Sequence, residues 1–185
     1  MIEVELKYPV PSLESIRGEF LNLGAIKGQT IVQSDEYLND PLRDFAKLDL
    51  ALRIRHSDDE VVLTFKGPNL DETAKIRQET EIPLADQNAA DQIKQVFLGI
   101  GFRSLEKVVK RREQLDLNWQ DRDINICLDE VNELGGFVEL ELVVDIESAV
   151  PEAKSTLLNL AELVGLTGPI RTSYLAMLLE NREEL

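Results

Sequence analysis

The sequence predicts an α+β fold in which an antiparallel sheet closes into a barrel and helices pack on its outside. Three observations carry this prediction. Runs of apolar–charged alternation recur along the chain, as in Ile2–Tyr8 and Phe137–Ile146. Helical patterns fall at the joints between groups of strands, which argues against a doubly wound parallel sheet. The charged strand positions are sorted by sign and face, as a barrel with a polar lumen requires.

The elements follow in order. Ile2–Tyr8 alternates as a strand and is ended by Pro9 and Pro11. Ser12 then offers an N-cap to a helix carrying Leu13, Ile16, Phe20, Leu21 and Leu23, closed by Gly24. A strand is expected over Ile26–Leu38 and a loop over Asn39–Asp49. Leu50–His56 and Glu60–Gly67 form a hairpin through Ser57-Asp58-Asp59, and Ala74–Pro83 is a third strand. Asp86 caps a helix through Phe97 that Gly99 and Gly101 end. The second half repeats the plan, with strands at Ser104–Leu115, Leu117–Gln120, Asn125–Val131 and Phe137–Ile146. A helix opens at Pro151 and runs to about Val164, and a last helix spans about Thr172–Glu180. The chain reads as a single domain, 1–185, built of two similar halves, about 1–99 and 100–185.

Composition excludes several classes of function. The 185 residues are 43% hydrophobic and 30% charged, ordinary for a globular chain long enough to bury a core. No run of 18 apolar residues exists, so no membrane helix is expected. The opening MIEVELKYP lacks a basic and apolar leader, and a signal peptide is not expected. One cysteine, Cys127, makes no internal disulfide and reads as a small buried residue, consistent with a cytoplasmic location. The net charge of −15 disfavours a nucleic-acid partner. With His56 the only histidine, a His-rich zinc site is excluded, and any metal is a hard cation held by carboxylates.

Residues at i, i+2 and i+4 of a strand share a face. Glu3, Glu5 and Lys7 thus lie opposite Ile2, Val4 and Leu6. Arg53 and Arg55 lie opposite Leu52 and Ile54, and Lys66 opposite Phe65. Arg77, Glu79 and Glu81 share a face, as do Lys110 and Arg112, and Glu139 and Glu141. One such strand alone reads more readily as a half-buried sheet with a solvated side. The set is different, because its polar positions are charged pairs sorted by strand. Turned inward around a lumen, so many charges need a compensating ligand. Arg and Lys suit phosphate oxygens, and closely spaced carboxylates suit Mg²⁺ or Mn²⁺. A ligand that satisfies both is a metal-bound polyphosphate.

Glu3-Val-Glu5-Leu-Lys7 resembles the ExExK signature of the CYTH superfamily, the triphosphate tunnel metalloenzymes. Gln33-Ser-Asp35-Glu-Tyr37, Ala51-Leu-Arg53-Ile-Arg55 and Leu63-Thr64-Phe-Lys66-Gly67-Pro68 resemble its next segments in order. Arg77-Gln-Glu79-Thr-Glu81, Val109-Lys110-Arg-Arg112, Cys127-Leu128-Asp129-Glu130-Val131, Leu134 to Glu141 and Thr172-Ser173-Tyr174-Leu175 complete the pattern over nearly the whole chain. Within the superfamily the pattern is most similar to the class IV adenylyl cyclase (CyaB-like) group, whose relatives include thiamine triphosphatases and tripolyphosphatases. That group carries a His-Phe pair, seven residues, then Phe. Here Glu36-Tyr37 and Phe45 stand at those places.

The resemblance implies an eight-stranded antiparallel tunnel, dependence on Mg²⁺ or Mn²⁺, and a homodimer. It implies an enzyme acting on a triphosphate: an adenylyl cyclase making cyclic AMP and pyrophosphate from ATP, or alternatively a thiamine triphosphatase or tripolyphosphatase. A non-catalytic polyphosphate- or nucleotide-binding module is the remaining alternative. Glu3, Glu5, Glu139 and Glu141 are the expected metal ligands, with Glu79, Glu81 and Asp129 as further candidates that bind a second cation, orient water or hold the basic groups. Lys7, Arg53, Arg55, Lys66, Arg77, Lys110 and Arg112, with Arg171, are expected to grip phosphate oxygens. Glu3, Glu5, Lys7, Lys66 and Arg112 form the expected catalytic set, whereas Lys107 and Arg111 are expected to face solvent.

Overall fold

A computed structural model describes residues 2–58, 60–69 and 75–183. Asp59 of the expected hairpin turn and Ala74 of the expected third strand lie outside these residues. The strands are β1 (Ile2–Val10), β2 (Ile26–Asn39), β3 (Ala51–Ser57), β4 (Glu60–Lys66), β5 (Lys75–Arg77), β6 (Glu79–Leu84), β7 (Arg103–Trp119), β8 (Arg122–Val131) and β9 (Gly135–Val144). The helices are α1 (Leu13–Asn22), α2 (Gln87–Gly99), α3 (Val150–Leu163) and α4 (Tyr174–Glu183). None of the described helices is long and apolar enough to cross a membrane.

All strand pairs are antiparallel, in the order β5-β1-β9-β8-β7-β2-β3-β4-β6. The two ends of this list are consecutive in the chain, separated only by Gln78. The sheet therefore curls into a nearly closed barrel. The resemblance implies eight strands and the described residues form nine; one departure from the expected elements is that the anticipated Ala74–Pro83 strand divides at Gln78. Its first piece pairs with β1 (Glu3 opposite Arg77) and its second with β4 (Lys66 opposite Glu79). The Gln78 carbonyl accepts from Gly67 N–H at 2.9 Å, which fixes the point of division. A second departure is β7. The two expected strands at 104–115 and 117–120 are one, held on both sides by β2 and β8.

Local chemistry sets the helix ends. Ser12 accepts from Ser15 N–H at 3.3 Å, and Asp86 accepts from Ala89 N–H at 2.8 Å. Pro151 sits in the first turn of α3, where its missing N–H costs nothing.

The apolar core lies outside the barrel wall. Ala153, Leu157, Leu160 and Ala161 of α3 pack with Val4, Leu6, Ile126, Leu128, Leu140 and Leu142 of the strands. Across the barrel, Ala90, Ile93 and Phe97 of α2 cover Leu38, Leu52, Ile54 and Val61. Each such side chain, when fully buried, contributes about 1.5–3 kcal/mol. Because these apolar faces are spent on helices, the opposite, charged faces turn into the lumen. At one mouth, Tyr174 and Leu178 of α4 close over Tyr37, Val108, Val131 and Phe137.

Candidate functional site

Alternation along each strand delivers the charged faces into a cavity of about 940 Å³. It is lined by Glu3, Glu5 and Lys7 of β1, Arg53 and Arg55 of β3, Lys66 of β4, Arg77 of β5, and Glu79 and Glu81 of β6. Lys110 and Arg112 of β7, Glu139 and Glu141 of β9, and Arg171 before α4 complete the expected set. Several of these charges are deeply buried: Lys7 is 2% exposed, Lys110 3% and Arg112 6%. Asp129 is 0% exposed and sits behind Lys110 and Arg112. Lys107 and Arg111 are exposed on the outer face, as expected.

The carboxylates fall into two groups. Glu3, Glu5 and Glu141 bring one oxygen each to within 4.8 Å of one another. This is a set of hard oxygen donors of the kind a divalent cation takes. Burial, reinforced by the neighbouring Glu141 charge, pushes the Glu3 carboxyl up to about 8. Burial also raises Glu141, against the pull of Arg112. Such a cluster retains a proton or binds a cation in its place, and the donor set fits Mg²⁺ or Mn²⁺. The other group is bonded to polar and cationic side chains of the wall, and Glu141 of the first group also lies 3.5 Å from Arg112 Nη1. Glu139 accepts from Lys7 at 3.0 Å and also from Arg112. Glu79 accepts from Lys66, and Glu81 from the Thr64 hydroxyl at 3.3 Å.

Two buried aspartates hold pairs of cations. Asp35 accepts from Arg55 Nε at 2.6 Å and Nη2 at 2.7 Å, and from Arg53 Nη1 at 3.0 Å. Asp129 accepts from Arg112 Nε at 2.7 Å and Nη2 at 2.6 Å, from Lys110 at 2.9 Å, and from the Tyr174 hydroxyl at 3.0 Å. Burial opposes ionisation of both, yet the adjoining Lys and Arg charges hold both carboxyls below the usual range. Burial lowers Lys110, with Arg112 adding to the effect. Arg112 is likewise buried, but the carboxylates around it, Asp129 and Glu139, more than offset that cost.

Sequence reasoning offered Asp129 as a ligand to a second cation, a group that orients water or one that holds the basic residues, and its oxygens are engaged by Lys110, Arg112 and Tyr174. It gave no role to Asp35 or Tyr174. The signal for Asp35 was present: it shares a strand face with Gln33 and Tyr37, and lies opposite Arg55 in the β2–β3 register. Nothing in the alternation of one strand pointed to Tyr174, which reaches the lumen from a helix. Its ring lies 3.8 Å beneath Lys7 Nζ and 5.3 Å from Lys110 Nζ. Glu36 points the other way, pairing with Lys94 of α2 outside the lumen. Cys127 is buried, donates to Asn125 Oδ1 at 2.9 Å, and is pushed up by burial, so it stays a thiol.

A family model for the CYTH domain matches residues 1–174. A Methanocaldococcus jannaschii protein bearing the name "putative adenylate cyclase" is 32% identical over 96% of this chain and 98% of its own. A solved structure from Pyrococcus horikoshii is 36% identical, with a TM-score of 0.85, covering 97% of this chain and 99% of that one. A Hippeastrum structure, entitled a putative adenylyl cyclase with a dominant triphosphatase activity, shares the fold at 21% identity and a TM-score of 0.68. It covers 97% of this chain and 95% of its own. The chain belongs to the CYTH domain family.

Proposed function

We propose that this protein is a divalent-metal-dependent enzyme that takes a triphosphate into the lumen, with adenylyl cyclase chemistry as the first reading. The carrying observation is the coexistence, in one cavity, of the Glu3–Glu5–Glu141 oxygen cluster with a buried set of Lys and Arg side chains. Anion binding alone gives no reason for the carboxylate cluster, and cation binding alone gives none for the basic wall. A triphosphate carrying Mg²⁺ or Mn²⁺ accounts for both.

Glu3, Glu5 and Glu141 would hold the cation, which when bound supplies charge neutralisation at the phosphate oxygens. Lys7, Arg53, Arg55, Lys66, Arg77, Lys110 and Arg112 grip those oxygens and hold the chain of phosphates extended along the lumen. In the cyclase reading, the ribose 3′-hydroxyl loses its proton and attacks the α-phosphorus. The bond to the bridging oxygen breaks, and pyrophosphate leaves. The basic wall stabilises the charge that gathers on the leaving group. The M. jannaschii relative's name supports this reading. So do Leu50, Leu105 and Leu175, which border the cavity and offer an apolar surface to a base.

One observation favours hydrolysis of a triphosphate without a nucleoside. Among the described residues, the rings bordering the cavity are Tyr37, Phe45 and Tyr174, each no more than 9% exposed. Tyr174 is covered by Lys7, and Phe45 packs edge-on against Phe102. None of these rings is open to stack a base. A water would then replace the ribose hydroxyl and attack the terminal phosphorus, releasing orthophosphate.

Product identification separates the readings. The protein is incubated with Mg²⁺ or Mn²⁺ and, separately, ATP, thiamine triphosphate or inorganic tripolyphosphate. Cyclic AMP with pyrophosphate is the expected result with ATP. Orthophosphate without cyclic AMP, together with ADP, thiamine diphosphate or (from tripolyphosphate) pyrophosphate, moves the assignment to a triphosphatase. Binding without turnover under every combination overturns the enzyme reading.

A further inference from the structure

Asp35 and Asp129 repeat one arrangement on two adjoining strand pairs, β2–β3 and β7–β8. Each lies directly opposite an arginine on the neighbouring strand: Asp35 opposite Arg55, and Asp129 opposite Arg112. Each takes that arginine through its Nε–Nη2 edge, and then bonds a second cation two residues earlier on the same strand, Arg53 or Lys110. Asp35 is 3% exposed and Asp129 0%, so neither bond set is solvent-screened. We propose that Asp35 and Asp129 are positioning residues that hold these two pairs of cations in phosphate-gripping geometry before the ligand arrives. This inference rests on the triphosphate reading given above.

The physical reason lies in the crowding of like charges. Two cations two residues apart on one strand face repel, and long side chains relieve the repulsion by swinging apart. A carboxylate shared between them removes the repulsion and fixes the guanidinium plane. With the Nε–Nη2 edge committed, the far edge of the Arg55 guanidinium remains for a ligand oxygen, while that of Arg112 faces Glu141 Oε1 at 3.5 Å and is shared with the carboxylate cluster. The entropy of ordering each side chain is then met in folding rather than in binding. On the Asp129 side, the Tyr174 hydroxyl and its ring, which lies under Lys7, extend the same bracing to a third cation.

This role has a sign that distinguishes it from simple charge balance. Removing a negative charge beside an anion site strengthens anion binding if the carboxylate only neutralises. It weakens binding if the carboxylate orients the grip. Inorganic tripolyphosphate with chelator present is titrated calorimetrically into the wild-type protein, Asp35→Asn and Asp129→Asn. Thermal melts verify that each variant is folded. The expected result is a loss of affinity of about 10- to 100-fold in each, the range typical of carboxylates that orient a ligand-binding group. Arg55→Lys keeps the charge and loses the two-point grip, and a weaker loss in the same direction is expected of it. It also serves should an asparagine variant fail to fold. Equal or tighter binding by the folded variants overturns this inference while leaving the tunnel reading intact. Failure of the wild-type protein to bind tripolyphosphate overturns both.

Discussion

At the scale of single residues, the lumen is a balance of buried charges, and each substitution is felt through what it leaves unpaired. Glu141→Gln keeps the shape of the Glu3–Glu5–Glu141 cluster and removes one charge. Turnover is expected to fall by about 10²–10³-fold, as for the loss of other charge-stabilising groups. The rise in melting temperature on adding Mn²⁺ should disappear with it, as read by scanning fluorimetry. Asp35 supplies a pH dependence with a definite sign. Its carboxyl titrates lower when folded than the ordinary 3.8, because Arg53 and Arg55 outweigh burial. A depressed acid contributes stability that is present above the unfolded value and lost as pH falls toward the folded one. Urea unfolding between pH 6 and pH 3 should show this acid loss, and Asp35→Asn should show a smaller one. An equal slope in both proteins would remove Asp35 from the account. The main lining residues were legible because period-two alternation sorts them without any tertiary information. Asp35 and Tyr174 were less legible, since their roles arise from partners on other elements.

At the scale of elements, strand existence was easier to read than strand identity. The apolar faces of β1, β3 and β9 alternate so regularly that their register follows from the pattern. The division at Gln78 does not, because it depends on which neighbour each piece meets once the sheet has curled. β7 was expected as two strands, yet the alternation Leu115-Asp116-Leu117 runs unbroken through the expected gap and pairing with β8 continues from Lys110 to Trp119. The junction of β9 with α1 gives a prediction at this scale. A Cβ added at Gly136 would meet the Val10 carbonyl oxygen at 3.1 Å and Leu13 Cγ at 3.2 Å. Both belong to the tight approach of β1, α1 and β9. Gly136→Ala should therefore destabilise by about 1–3 kcal/mol, measured by chemical denaturation. No change in midpoint would show that the neighbours yield freely.

At the scale of the whole molecule, the usual inside-out arrangement of a small barrel is reversed. The core lies between wall and helices, and the lumen is left to charge. Stability and chemistry are thereby assigned to opposite faces of the same strands. Leu157 of α3 is 0% exposed in the outer core. Leu157→Ala should cost about 2–5 kcal/mol of stability. Turnover per folded molecule should stay close to wild type at a temperature well below the melt. A large fall in that quantity would mean that the outer core also tunes the lumen.

The pairing of β1 with β9 carries a consequence for biosynthesis. Residues 2–10 emerge from the ribosome well before their β9 partner, residues 135–144, and before β5 at 75–77, the other neighbour. Pairings so distant in sequence close late, after the more local hairpins have formed. Glu3 and Glu5 ride on β1, so a nascent chain carries two of the three carboxylates of the Glu3–Glu5–Glu141 cluster long before they meet the third. Translation of β9 is the step that lets an open sheet close around its lumen.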